Sequence, residues 1–220
     1  MFIELIGLPG AGKTTLVNKL LELPELNNKL MNLAHYKGSI LKKKSWKLNF
    51  FLFLIFNFVS LFYLTRKILI GSSNKKQSLR RLSSLFVLLF VLKQFNNSNK
   101  ILLMDQSIIQ MLVSIAIYNK EQKEFAISVL LNRCLHIVKT DTRKYIKIGV
   151  EISLEEAVNR IKSRAKEDCE FKIMGENKRN AVLQKYSYYF GFIEYDLMCY
   201  TKELLDTNIQ KIHSFINIHL

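Results

Sequence analysis

Several residue types are scarce in this 220-residue chain, and each shortage removes a class of explanation. Its three cysteines, Cys134, Cys169 and Cys199, are widely spaced and odd in number. No pair has metal-ligand spacing, so they read as reduced thiols of a cytosolic protein rather than as a metal site or a disulfide framework. There are two prolines, and Pro24 stops the first helical pattern. Of only eight glycines, three stand at positions 7, 10 and 12. Acidic residues are missing altogether between Glu25 and Asp105, an interval that holds fourteen Lys and Arg. The net charge is +15, yet the rest of the chain has 19 basic against 18 acidic residues. Nearly all the excess therefore belongs to one middle segment. The first motif starts at residue 7, so no signal peptide is expected in front of it. At 49% hydrophobic, the chain is long enough for one sizeable core and is expected to form one domain.

What is present starts with Gly7-Leu8-Pro9-Gly10-Ala11-Gly12-Lys13-Thr14, which matches the P-loop pattern G-x-x-x-x-G-K-[ST]. Its context fits as well. Phe2 to Ile6 is an apolar run of buried-strand length, and Lys13 to Leu23 carries Leu16, Val17, Leu20 and Leu21 at helical spacing. The glycines let the backbone turn sharply and press its N–H groups against a polyphosphate. The helix that follows adds its positive dipole end. Residues Gly7 to Thr14, with Thr15, are thus the candidate nucleotide site. Lys13 is expected to place a charge on the β- and γ-phosphates, and the Thr14 hydroxyl to ligate Mg²⁺.

Further along, Leu30 to His35 reads as a second strand, with His35 at its end as an acceptor-site candidate or an ordinary strand-end histidine. Lys100 to Met104 is a third apolar run, ending in Asp105. An apolar strand ending in Asp is the Walker-B arrangement, which brings a carboxylate beside the P-loop to organise Mg²⁺ or accept a proton. The competing reading makes Asp105 the N-cap of a helix over Gln106 to Asn119. Glu121 to Val138 reads as a helix and Tyr145 to Ile152 as a strand. Ser153 to Glu156 is a capping box opening a helix that carries Arg160 and Arg164 on one face. Glu176 to Leu197 reads as a long helix with an aromatic stripe, more core than cofactor box. Glu203 to Asp206 reads as a last strand and Asn208 to Ile218 as a closing helix. Alternating strands and helices imply an α/β fold with a mostly parallel sheet.

The middle segment, residues 36–99, is harder to place. Lys42, Lys43, Lys44 and Lys47 lead into Leu48 to Leu64, a 17-residue run rich in Phe and Leu, and Arg66 and Lys67 follow it. Seventeen residues is about the lower limit for a membrane span. Asn49, Asn57 and Ser60 fall within about 80° on a helical wheel, a polar stripe that argues against a span. The second run, Leu85 to Leu92, is too short to cross back. Three readings stand: a pair of largely buried helices, helices docked on an anionic membrane surface, or a transmembrane segment. Nucleic-acid binding is disfavoured, because the aromatics form a continuous block instead of alternating with the charges.

Taken together, Gly7 to Thr14, Asp105-Gln106, Tyr145 to Arg164 and the terminal Leu205-Asp206-Thr207 with its helix resemble a P-loop kinase of the thymidylate-kinase-like group. The resemblance covers both ends of the chain. It implies a P-loop NTPase three-layer sandwich of about five mostly parallel strands, built from core 1–35 and 100–220; the helical, basic segment 36–99, where such kinases bind their acceptor, resembles nothing in that group and reads as an acceptor-facing or membrane-facing segment. It also implies a lid whose arginines, here Arg160 and Arg164, close over the transferring phosphoryl group, with Asp105 as general base or Mg²⁺ organiser. Nucleotide kinases of this group commonly carry Asp-Arg after the third strand, the Arg binding the acceptor's phosphate. Gln106 stands in that place here, which shifts the expectation toward a hydroxyl acceptor such as a sugar, glycan or nucleoside, the alternative being that the basic middle segment supplies the missing charge. ATP-dependent phosphoryl transfer to a small molecule is the leading expectation. A thymidylate-type monophosphate kinase and a membrane-associated ATP-binding switch are the alternatives. The expected location is cytoplasmic, with peripheral contact at the inner face of a membrane left open.

Overall fold

The structure, a computed structural model, describes residues 1–26, 28–96, 98–118, 127–163, 171 and 174–219. Five parallel strands form one sheet: β1 (Phe2–Ile6), β2 (Leu30–Asn32), β3 (Ile101–Met104), β4 (Tyr145–Glu151) and β5 (Leu197–Tyr200). Their order is β2-β3-β1-β4-β5. β1 is the centre because it is apolar throughout except at Glu4, and every one of its residues is buried. It pairs Ile3 with Leu103 on one side and Ile3 with Ile146 on the other. The chain leaves β1 between two strands that lie on opposite sides of it. The crevice at their carboxyl ends is therefore the switch point of the sheet, where α/β folds bind ligands.

Flanking helices are α1 (Lys13–Glu22), α2 (Leu33–Leu41), α3 (Trp46–Phe56), α4 (Phe58–Ile70), α5 (Lys75–Phe95), α6 (Ile108–Ala116), α7 (Ile127–Val138), α8 (Leu154–Ser163), α9 (Glu176–Phe190) and α10 (Leu205–His219). α5 carries its apolar half inward, with Leu85, Leu88, Leu89, Phe90, Val91 and Leu92 all buried. α8 starts as a capped helix should: the Glu156 N–H donates to Ser153 Oγ at 3.2 Å. The reciprocal arm of the box is used differently, because Glu156 pairs with Arg160 one turn on.

Four expectations need correction. The second strand stops at Asn32, whose side chain accepts the Ala34 N–H at 2.7 Å and starts α2. His35 is therefore an exposed residue of a helix and not the end of a strand. The last strand is Leu197–Tyr200 and not Glu203 to Asp206. Asp196 fixes it there, donating its N–H to the Lys147 carbonyl and accepting the Lys147 N–H at 2.7 Å. Leu204 is 79% exposed and the next residue opens α10. The long helix accordingly ends at Phe190, where Gly191 takes over.

The fourth correction concerns the apolar run. It does not form one helix, because α3 and α4 meet at Asn57 at an angle of 79°. The Asn57 amide donates to the Phe53 carbonyl at 2.7 Å and its oxygen accepts from Lys93 Nζ at 3.3 Å. A short polar side chain bonding back into the preceding turn competes with the helix, and here it ends one. The stripe expected from Asn49, Asn57 and Ser60 does not exist, since they are not on one helix. Nor is the pair largely buried: only Phe53 of α3 and Leu61, Leu64 and Ile68 of α4 are. Among the described residues no single helix is long and apolar enough to cross a membrane.

Candidate active site

The P-loop leaves β1 at a point where only glycine fits. A Cβ on Gly7 would lie 2.2 Å from the Val150 carbonyl oxygen of β4. Gly10 and Gly12 have φ of +94° and +83°, the left-handed region that side chains disfavour. With Gly12 as its N-cap, α1 has no side-chain cap bond and no acidic residue in its first turn. Its amide dipoles are thus directed into the loop without a local anion. Lys13 is buried, and its ammonium donates to the carbonyls of Gly7 at 2.8 Å and Leu8 at 2.9 Å.

Thr14, at the loop's end, meets the end of β3. Its hydroxyl donates to Asp105 Oδ2 at 2.6 Å. Residues 91 apart in sequence are joined because β1 and β3 are parallel neighbours whose carboxyl ends coincide. Asp105 is not a helix N-cap: Ser107 holds that position for α6. Both oxygen donors expected to ligate Mg²⁺ are therefore adjacent. Mg²⁺ uses few protein oxygens and completes its shell with phosphates and water, so a hydroxyl and one carboxylate suit it.

The loop forms one wall of a cavity of about 390 Å³, within the range of small-molecule sites. Its other walls come from α5 (Arg81, Ser84), the residues after β3 (Asp105, Gln106, Ser107), α6 (Gln110, Met111, Ser114), Phe171 and Tyr186. Asp105 is the one carboxylate among the described residues that line it. Opposite it the polar groups are mostly uncharged. Gln110 Oε1 is buried without a hydrogen-bond partner among the described residues, and Arg81 lies over the Tyr118 ring at 5.1 Å. The aromatic stripe of α9 is core, as expected, with Tyr189 donating to the Ala116 carbonyl at 3.1 Å; Tyr186 also reaches the cavity.

A second, smaller groove of about 220 Å³ lies across the P-loop from the first. It is lined by Ala11, Gly12, Thr15, Arg160, Thr201 and Asn208, among others. Arg160 donates to the Gly10 carbonyl at 3.5 Å, so α8 reaches the loop from this side. Lys13, Thr14 and Asp105 thus share one cavity, while Thr15 and Arg160 border the other. Arg164 lies outside the described residues.

Glu4 has no place in the sequence reading. It is fully buried in β1 and accepts the N–H groups of Ile109 at 3.2 Å and Gln110 at 3.0 Å, and the Tyr145 hydroxyl. It caps α6 from a neighbouring strand. Burial pushes its carboxyl pKa up, against the pull of those hydrogen bonds, and burial together with Glu4 pushes the Tyr145 hydroxyl well up. A lone acid inside an apolar strand was the available signal. Gln110 and Ser114, four apart on an otherwise apolar helix after Asp105, were a second. Nothing in the sequence marked Arg81 and Ser84.

No protein-family model matches the chain, and no curated protein matches it. Solved structures do. Deoxyadenosine kinase from M. mycoides with bound dATP superposes with a TM-score of 0.57 at 16% identity, covering 99% of this chain and 100% of that one. The same kinase with the products dCMP and a flexible dCDP bound gives a TM-score of 0.58 at 17% identity, covering 99% of each chain. The likeness is one of fold. This chain has the α/β fold of a P-loop kinase, and the match spans 99% of it. The comparison carries the broad P-loop kinase resemblance and not the narrower thymidylate-kinase-like one.

Proposed function

We propose that this chain is an ATP-dependent kinase that transfers the γ-phosphoryl group to a hydroxyl of a nucleoside-like acceptor. The observation that carries the reading is the Thr14–Asp105 contact at 2.6 Å, beside Lys13, at the mouth of a cavity with largely uncharged polar walls. The triphosphate lies on the P-loop amides and the α1 N-terminus, with Lys13 against its outer phosphates. Thr14 and Asp105 would hold Mg²⁺, which when bound supplies charge neutralisation to the phosphates. The acceptor occupies the cavity. Its hydroxyl oxygen bonds to the γ-phosphorus as the bond to the β,γ-bridging oxygen breaks and ADP leaves. Asp105, the one carboxylate among the described residues that line the cavity, is assigned as the base that takes the hydroxyl proton.

The purine of ATP fits the smaller groove. There the Asn208 amide donates to the Tyr200 carbonyl at 2.9 Å, and its buried oxygen has no partner among the described residues. Arg160, already at the loop backbone, is the lid-side charge, with Arg164 assigned the same role. Gln106 supports a hydroxyl acceptor over a monophosphate, since glutamine offers hydrogen bonds and no charge. The fold shared with a deoxyadenosine kinase supports a nucleoside. A second reading, a monophosphate acceptor, has one observation in its favour: Arg81 lines the same cavity.

The test is mass-spectrometric detection of phosphorylated product after incubation with Mg²⁺, ATP or GTP, and a panel of nucleosides, nucleoside monophosphates and sugars. The expected result is a nucleoside monophosphate, formed faster with ATP than with GTP and lost in Lys13→Ala. ATP binding without phosphorylation of any acceptor would overturn the reading.

A further inference from the structure

The middle segment presents a surface that phosphoryl transfer does not use. α3 and α4 are fixed to the domain along one side only. Phe53 and Phe50 pack on Phe90 of α5 with ring centroids 5.7 and 5.5 Å apart, and Leu61, Leu64 and Ile68 are buried. Their other side is bare. Phe51, Ile55, Phe56, Phe58, Val59 and Phe62 are each more than half exposed, reaching 80% at Phe56. Ile55, Phe56, Phe58 and Val59 share a groove at the Asn57 bend, and Phe58 stacks on Phe62 with ring centroids 6.0 Å apart. Scattered apolar residues are ordinary on a surface, but a contiguous aromatic block is not.

The rim of this block is basic. Lys42, Lys43, Lys44 and Lys47 precede it, Arg66 and Lys67 follow it, and all six are exposed. No acidic residue occurs between Glu25 and Asp105 to offset them. From the neighbouring elements, His136, Lys139 and Asp141 face the bend, and Arg133 lies over the Tyr63 ring at 5.4 Å. Asp141 is the only acid in that set, and it is paired with Arg143 at 3.0 Å.

We propose that the α3–α4 corner docks this protein on the surface of an anionic lipid bilayer, its aromatic block entering the headgroup–acyl boundary and its basic rim meeting the lipid phosphates. Charge selects this occupant. A second copy of the chain would bring the same basic rim against itself, since a two-fold contact pairs identical patches. Nucleic acid would match the charge but leave the aromatic block unfilled. An anionic bilayer satisfies both, an apolar interior under a negative surface. The 79° bend lets two short helices lie along the interface, although by length and composition the bent pair also matches a broken span. Docking there is independent of the acceptor chemistry.

Trp46, the only tryptophan, opens α3 beside the lysine cluster and reports on the contact. The experiment mixes the full-length protein with vesicles of phosphatidylcholine and phosphatidylglycerol at about 3:1, or of phosphatidylcholine alone, and follows flotation and Trp46 emission. Expected is flotation and a blue shift with the anionic vesicles only, at least tenfold weaker binding in 0.5 M salt, and a similar loss in two variants. One is Phe56→Ser with Phe58→Ser, and the other replaces Lys42, Lys43, Lys44 and Lys47 by Gln. All six side chains are exposed, so thermal melting should match the parent. No binding to anionic vesicles would overturn the proposal. So would binding that the phenylalanine variant leaves intact, or a concentration-dependent dimer in sedimentation that this variant abolishes.

Discussion

Replacing Glu4 by alanine should be far more damaging than its position in an ordinary apolar strand suggests. The side chain is fully buried, and its two oxygens accept two α6 amides and the Tyr145 hydroxyl. Ser107, the N-cap residue of α6, makes no side-chain cap bond, so the cap of this helix comes from Glu4. Alanine would leave three buried donors without acceptors, each costing about 1–3 kcal/mol, and a cavity besides. Partial relaxation and water entry reduce the sum, and about 3–6 kcal/mol is the expected loss in urea unfolding followed by circular dichroism. That is a large share of the 5–15 kcal/mol typical of a whole domain. Glu4→Gln keeps an acceptor for the amides and should lose only about 1–2 kcal/mol. The pH dependence has a definite sign. Because burial raises the folded-state pKa, the native protein holds this proton more tightly than the unfolded chain does. Its contribution to stability is present in acid and is lost as pH rises from the ordinary glutamate range through the raised value. Glu4→Gln should remove that slope. A Glu4→Ala protein within about 1 kcal/mol of the parent would refute this account of the buried carboxylate. An unchanged pH slope in Glu4→Gln would refute its titration.

Three further outcomes follow from the geometry. Gly7→Ala forces a Cβ to within 2.2 Å of a β4 carbonyl oxygen, so the strands must part; about 1–3 kcal/mol should be lost in thermal melting, together with nucleotide affinity. Asp105→Asn keeps an acceptor for Thr14 and should melt like the parent, while turnover falls by about 10²- to 10⁴-fold; unaltered turnover would remove Asp105 from the chemistry. Burial raises the Cys134 thiol far above its usual range and the Cys199 thiol to about 11. Peptide mapping after thiol labelling at pH 8 should find both unmodified until the protein unfolds, and rapid labelling of either would contradict their placement.

Much of the fold was legible because its signals are local. The run Phe2 to Ile6, the glycines at 7, 10 and 12 and the capping box at Ser153 each specify a short piece of backbone with few alternatives. The Thr14–Asp105 contact then follows from parallel strands whose carboxyl ends align. What was illegible depends on tertiary context. Leu197–Tyr200 has only four residues and continues an aromatic pattern that reads as helix, until Asp196 anchors it to β4. The break at Asn57 hangs on one amide bonding backward and on Lys93 from another helix. The cavity wall from α5 was not legible residue by residue, since nothing within the basic middle segment singled out Arg81 and Ser84. The positions of Lys13, Thr14 and Asp105 came from the motif, and their shared cavity came from the fold.

The central claim is that the acceptor is a neutral hydroxyl compound, and comparing each nucleoside with its own 5′-monophosphate tests it most directly. Initial rates of ADP formation should be measured with Mg²⁺-ATP for matched pairs, in the parent and in Gln106→Arg. The account predicts turnover of nucleosides and little with monophosphates in the parent, with Gln106→Arg shifting the ratio toward the monophosphates. Efficient turnover of a monophosphate by the parent, abolished in Arg81→Gln, would contradict it and establish the charge on α5 as the acceptor's anchor.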